Sequence, residues 1–246
     1  MKLKKLLVAL LLGITMVCIG QEKVLLRLNY EKGDVYETSV EIIDNRGGGK
    51  KNGYIKIVME YDIKNASEKE YESTVRIKRI MGRISKEDMN ISFDSSKKYR
   101  GLDKEGKIIK AQIDSVLKVK AITTIKSDKL GKVKETKTVP NTPRFLDFTK
   151  VLNDVIYPEK KVSVGDNWSI TKGDEIVKYS FIYKVASITS RRVMLEVSGN
   201  VGGNVKGNIQ GTVNINKKSG VLLTSSIETM IENSKSSIKI STKKKI

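Results

Sequence analysis

Histidine is absent from the 246 residues, and cysteine occurs once, at Cys18. The first absence removes the usual proton shuttle of neutral pH and the commonest metal ligand. The second leaves the chain beyond residue 20 without thiol catalysis, disulfides or zinc sites of the Cys/His kind. No Gly-x-Ser-x-Gly elbow, P-loop or dinucleotide fingerprint occurs either. Carboxylate chemistry is what remains, and Glu87-Asp88, Asp94 and Asp103 are the densest acids. Glu87 and Asp88 are sequence neighbours, so on a strand they point to opposite faces and form no ready acid/base pair. Asp94-Ser95-Ser96 offers fewer oxygens than the roughly six to eight that calcium takes. The expectation is a protein that is not an enzyme, with no catalytic residue, cofactor or metal site.

Long apolar runs are also scarce. The one candidate, Leu6 to Gly20, falls short of the roughly 18 residues of a membrane span and follows Lys2, Lys4 and Lys5. That pattern predicts an export signal over residues 1–20, cut before Gln21, with the small residues Cys18 and Gly20 placed for cleavage. The alternative is a lipoprotein lipidated at Cys18, against which Val17 argues. Removing residues 1–20 leaves 226 residues and a formal charge of +16, which is 19 less Lys2, Lys4 and Lys5. Such a chain is long enough to bury a core without disulfide staples. The expected location is outside the cytoplasm: periplasm, cell surface or medium, with no transmembrane segment after cleavage.

Acids are outnumbered, 28 against 47 basic residues. The basic residues are dispersed in short clusters such as Lys160-Lys161, Arg191-Arg192, Lys217-Lys218 and Lys243-Lys244-Lys245. A solvated surface accounts for them. The sharper alternative is attraction to anionic lipid or polysaccharide outside the cytoplasm. Nucleic acid is not an expected partner, because these clusters lack interleaved aromatic rings for base stacking.

Two stretches stand out in what is present. Val162-Ser163-Val164-Gly165-Asp166-Asn167-Trp168 holds the only tryptophan and echoes Tyr30-Glu31-Lys32-Gly33-Asp34-Val35-Tyr36. Gly-Asp-x-aromatic reads as the opening of each of two β-rich halves. The glycine supplies a turn, the aspartate caps it, and the aromatic ring is the first core anchor of the next strand. Alternating apolar residues then predict strands at Val24–Leu28, Val35–Ile43, Tyr54–Ile63 and Tyr71–Ile80, with a glycine-lysine loop at Arg46–Gly53. The rhythm returns at Tyr179–Val185 and Val193–Val197. Tyr61 and Tyr71 correspond to Tyr183 and Val193 at an offset of 122, whereas the Gly-Asp motifs are offset by 132. A diverged duplication of a β-meander explains this, and a shared hairpin rhythm without duplication is the alternative.

Between the halves, Lys107–Ile109, Ala121–Ile125 and Lys132–Lys134 have strand character, and Ala111–Val119 is ambiguous between strand and helix. Thr142-Pro143 opens the clearest helix, about residues 143–156, with Phe145, Phe148, Val151, Leu152, Val155 and Ile156 along one face. From Val193 to Ile215 the odd positions are nearly all valine, isoleucine or glycine, too long a run for one strand. A three-residue loop at Gly202-Gly203-Asn204 would pair odd with odd, setting Val201 beside Val205 and Val197 beside Ile209. The alternation of glycine with valine makes a thin apolar face that a helix or an acyl chain can approach. Val221–Glu232 and Ser236–Ser241 form a closing hairpin.

Leu28-Asn29-x-x-x-Gly33-Asp34-x-Tyr36, Phe93-Asp94-Ser95 and Tyr157-Pro158-x-x-x-Val162-x-Val164-Gly165-Asp166-Asn167-Trp168 together resemble an uncharacterised family of secreted bacterial proteins, a domain of unknown function. The resemblance implies an exported β-rich protein and transfers no activity and no site residue. The expected fold is mainly β (α+β): an antiparallel curved sheet, or two β-meander halves, around one amphipathic helix, similar to periplasmic lipoprotein carriers. The halves fall at residues 21–140 and 158–246, joined by the helix in 141–157, and are expected to form one continuous domain. The expected function is a binding module of the cell envelope for an apolar or amphipathic ligand. The alternative is a basic interaction protein that docks on anionic envelope polymers or lipids.

Overall fold

The structure is a computed structural model and describes residues 22–46, 51–86, 89–97, 104–140, 155–173, 176–232 and 234–245. Among the described residues, twelve strands form one antiparallel sheet. The first half supplies β1 (Val35–Arg46), β2 (Lys51–Ala66), β3 (Glu70–Lys86), β4 (Met89–Asp94), the helix α1 (Lys104–Lys118), β5 (Ile122–Asp128) and β6 (Val133–Val139). The second supplies β7 (Asn167–Gly173), β8 (Val177–Ile188), β9 (Arg192–Gly203), β10 (Gly207–Asn216), β11 (Leu222–Ile231) and β12 (Ser234–Lys244). The order across the open, curved sheet is β6-β5-β3-β2-β1-β12-β11-β10-β9-β8-β7, with β4 on the far half of β3. The closing strand β12 thus joins the halves by pairing with β1, Ile240 opposite Val40.

Period-two alternation gives the sheet one apolar face, here called the inner face. Its register is continuous: Ile80, Ile57, Val40, Ile240, Ser225, Val213, Leu195 and Val185 stand side by side across eight strands. All eight are buried, and Ser225 is the one polar member of the row. Two core clusters share the apolar residues of this row between them. One joins Val40, Ile57, Met59, Val75, Phe93 and Ile125 to Ile109, Ile113 and Leu117 of α1. The other packs Tyr183, Val185, Leu195 and Val213 beneath Val24, Leu26, Val155, Tyr157 and Val162, residues of two extended segments.

The Gly-Asp motifs build the same turn twice. The Gly33 amide donates to the Ile63 carbonyl (2.9 Å) and the Ile63 amide to the Asp34 carbonyl (2.9 Å). Likewise, the Gly165 amide donates to Val185 (2.8 Å) and the Val185 amide to Asp166 (2.8 Å). Both glycines have positive φ, 91° and 92°. Each aspartate also caps its own turn, accepting from the amide of Glu31 (3.2 Å) or Ser163 (2.7 Å). Tyr36 then pairs with Tyr61 as Trp168 pairs with Tyr183. A bulge follows in each half, at Ile63/Asn65 and at Val185/Ser187. The offsets of 132 and 122 therefore mark equivalent backbone positions.

Several expectations are corrected. Val24–Leu28 is not a strand: Val24 forms an isolated bridge with Val162, while the Leu28 and Asn29 amides donate to Lys129 and Ser219 in two separate turns. Lys107–Ile109 is helical, and the ambiguous Ala111–Val119 continues the same helix as far as Lys118. Ile109, Ile113 and Leu117 recur every four residues, and packing on the sheet outweighs local strand character. The loop read at Arg46–Gly53 is shorter, since Arg46 already pairs with Lys51. Most of the helix expected at 143–156 lies outside the described residues; Val155 and Ile156, which are described, have no helical structure.

The β9–β10 hairpin keeps odd with odd but slides. Val201 faces Gly207 and Val197 faces Gly211, leaving a five-residue connection, Gly202 to Lys206, in place of the three-residue loop. Two glycines of this hairpin lie close against the strands on either side. A Cβ on Gly199 would lie 2.0 Å from the Ser180 carbonyl, and one on Gly211 would lie 2.3 Å from the Ser226 carbonyl. Glycine is required at these two positions by the neighbouring strand.

Candidate functional site

The inner face of β7 to β11 changes character along its strands. At one end it is sealed. Trp168 donates its indole N–H to the Ile156 carbonyl (2.9 Å), and the Tyr157 hydroxyl donates to the Gly220 carbonyl (2.5 Å). The Arg27 guanidinium staples the two extended segments together by donating to the carbonyls of Leu26 (2.6 Å), Pro158 (2.7 Å) and Glu159 (2.6 Å). Burial among these groups pushes the Tyr157 phenol well above its ordinary range. It stays a neutral donor.

An aromatic ladder leads away from that cap. Trp168 stacks on Tyr183 with centroids 5.5 Å apart, Tyr183 on Phe181 at 6.2 Å, and Phe181 on Tyr179 at 6.4 Å. Tyr183 is fully buried, whereas Phe181 and Tyr179 are half-buried. Beside them Val177, Val205 and Ile231, also half-buried, fringe a third cluster of Val201, Ile209 and Ile227. The strip is thin because Gly199 and Gly211 contribute no side chain to it. Lys172 ends it on β7, paired with Tyr179, with its ammonium 5.9 Å from the centroid of the Phe181 ring.

Two other spaces are less suited to an apolar guest. A cavity of about 60 Å³ lies among Tyr30, Tyr36, Tyr61, Ile63, Val221 and Ile240, far below the roughly 300 Å³ of a small-molecule pocket. A notch of about 250 Å³ opens beside Glu31, Asp34, Asn216, Lys218 and Lys244, whose charged and polar groups line it together with Val221 and Leu223. There Asp34 accepts from the Tyr36 hydroxyl (2.9 Å) and pairs with Lys244 (2.6 Å). Burial pushes its carboxyl up, but the hydrogen bonds from Lys244, Glu31 and Tyr36 prevail and hold it below the usual value.

Of the acids singled out by sequence, Asp94 is held by Arg79, whose Nε and Nη2 donate at 2.9 and 2.5 Å, and it caps Ser96. The Arg79 hydrogen bonds keep the Asp94 carboxyl well below the ordinary carboxylate range. Asp94 thereby ties the end of β4 to β3. Glu87, Asp88, Asp103 and Cys18 lie outside the described residues. The ladder was half-visible in sequence as Tyr179-x-Phe181-x-Tyr183, whereas its flanking Trp168 and Lys172 emerge from the β7–β8 register.

Residues 148–222 match the model of a family of unknown function (DUF6263), a span that includes Gly165-Asp166-Asn167-Trp168 and the whole ladder. No curated protein matches. Among solved structures the chain is similar to one titled lipid–protein interactions in lipovitellin, with a TM-score of 0.56 and 6% identity. The match covers 89% of this chain and 26% of that one, so this chain spans about a quarter of the lipovitellin chain's length. The likeness is one of fold: an open, curved antiparallel sheet.

Proposed function

We propose that the protein is a non-enzymatic binding module, exported to the cell envelope, that holds an apolar or amphipathic ligand on the inner face of its sheet. The observation that carries this reading is the half-buried apolar strip of Val177, Tyr179, Phe181, Val205 and Ile231, which continues outward from a fully packed core. An aromatic and aliphatic surface of that kind takes a lipid chain by removing apolar area from water, about 25 cal/mol per Å². The similarity in fold to a structure whose title concerns lipid–protein interactions supports it. Among the described residues no helix is long and apolar enough to cross a membrane.

Native mass spectrometry of protein purified from its own host, together with titration of acyl probes followed by Trp168 fluorescence, tests the reading. Bound lipid, or saturable acyl-probe binding, is expected. Absence of both overturns it.

Docking on anionic envelope polymers is the second reading, motivated by the excess of basic residues. Many of these are already paired across strands, as Lys56 with Glu41 (2.8 Å), Lys235 with Glu228 (3.0 Å) and Lys245 with Glu60 (2.7 Å). Retention on heparin that falls steeply with salt is the expected sign of such docking; salt-independent retention rejects it.

A further inference from the structure

We propose that the protein has a second binding site, on the face of the sheet opposite the inner one, for a small hydroxylated anion of the acidic-sugar kind, with Arg192 holding the negative group. The site forms where two strands part. β11 and β12 pair from Ile231 and Ser234 as far as Thr224 and Ser241, and there their register ends. β12 runs on to Lys244 against β1, whereas β11 begins at Leu222 against β10. At this fork opens a cleft of about 380 Å³, lined by Leu223 and Thr242, the next residues along. Small-molecule sites occupy roughly 300–1,000 Å³. Ser39, Ser241, Thr224 and Arg192, which also line the cleft, alternate with the buried Val40, Ile240, Ser225 and Val193 and so face outward.

The polar groups around the cleft are unequally committed. Glu37 is matched by Lys243 at 3.0 Å and Lys245 at 3.9 Å, and the Thr224 hydroxyl accepts from the Asn214 amide at 3.1 Å. Arg192 is the exception among the charges, since its guanidinium meets no acid or other acceptor among the described residues. Ser39 and Ser241 stand directly opposite each other in register, and neither hydroxyl has a hydrogen-bond partner among the described residues. A guanidinium presents a planar fork of donors that fits a carboxylate or a phosphate bidentately. Two hydroxyls that can donate and accept, beside a carboxylate whose charge is already matched, suit the hydroxyl groups of a sugar. The lining charges, Arg192 and Lys243 against Glu37, leave one positive charge for a single negative group to balance. The cleft lies across the sheet from the apolar strip and stands independently of the apolar-ligand reading. It depends on one guanidinium and draws nothing from the protein's net charge.

The test titrates the whole chain with glucuronate, glucose-6-phosphate and uncharged glucose, followed by calorimetry and by NMR chemical shifts. The wild type is expected to bind at least one of the two anions saturably and about tenfold more tightly than glucose, the scale of one charge-assisted contact. Arg192→Met should abolish that preference. Arg191→Met removes the same charge from the neighbouring residue, which does not line the cleft, and should leave it unchanged. Ser39→Ala combined with Ser241→Ala should weaken the tighter anion several-fold. An unchanged urea midpoint shows that each variant folds. The tighter of the two anions tells carboxylate from phosphate. Failure of both anions to bind, equal affinity for glucose, or a preference that survives Arg192→Met or falls as much with Arg191→Met overturns the site. Full binding by the double serine variant overturns the hydroxylated class of ligand. None of these outcomes touches the apolar-ligand reading, whose own test is the binding of acyl probes.

Discussion

Replacing Asp34 and Asp166 by alanine, singly and together, separates what two copies of one turn contribute in two environments. Asp34 is 8% exposed and accepts from the Glu31 amide and the Tyr36 hydroxyl, besides pairing with Lys244. Its loss strands two donors, and hydrogen bonds to a charged group are worth about 1.5–3 kcal/mol each without adding fully. The Lys244 side chain is half-exposed, so solvent screens that ion pair and its loss adds little. A destabilisation of about 3 kcal/mol is expected. Asp166 is exposed and accepts from the Ser163 amide, so its loss should cost about 1 kcal/mol. Urea unfolding followed by Trp168 fluorescence measures both, and the distant sites should add in the double variant.

The pH dependence sharpens the test. The Asp34 carboxyl is held below its usual value in the folded protein. Its contribution is therefore complete above the unfolded value, about pH 4, and is lost as pH falls through the lower folded value. The stability gap between wild type and Asp34→Ala should narrow on acidification below about pH 4. Equal costs for the two alanines at neutral pH, or a gap that widens in acid, would refute the assignment.

Gly211→Ala places a Cβ 2.3 Å from the Ser226 carbonyl and 2.9 Å from the Ile227 Cα, so the β10–β11 backbone must shift; a loss of about 2 kcal/mol in urea unfolding is expected. Ser225 carries a buried hydroxyl without a hydrogen-bond partner, between Val213 and Ile240. Ser225→Ala should thus raise stability by about 1 kcal/mol, read as a higher thermal midpoint. Tyr183→Ala removes the fully buried rung of the aromatic ladder and should cost about 3–5 kcal/mol with a shift in Trp168 emission. An unshifted spectrum would place Trp168 elsewhere.

Local chemistry was enough to read the β class, most strand positions, both Gly-Asp turns and the odd-with-odd parity of the β9–β10 hairpin. Each depends on neighbours along the chain: alternation of apolar residues, a glycine that adopts positive φ, and an aspartate that caps its own turn. The offset between Tyr61 and Tyr183 survived for the same reason, because each is fixed by the turn and bulge around it. The pairing of β1 with β12, nearly 200 residues away, left no local trace. Neither did the fate of Val24–Leu28, which alternates like a strand yet finds carbonyls in separate turns. Ile109, Ile113 and Leu117 became helical because a sheet face was there to receive them. The slide that set Val197 against Gly211, and the close approach of neighbouring carbonyls to Gly199 and Gly211, appear only in the assembled sheet. For the candidate site, the tyrosine–phenylalanine alternation of β8 was legible, but the place of Lys172 beside it was not. That placement is a property of register, which is settled when distant strands bury a common face.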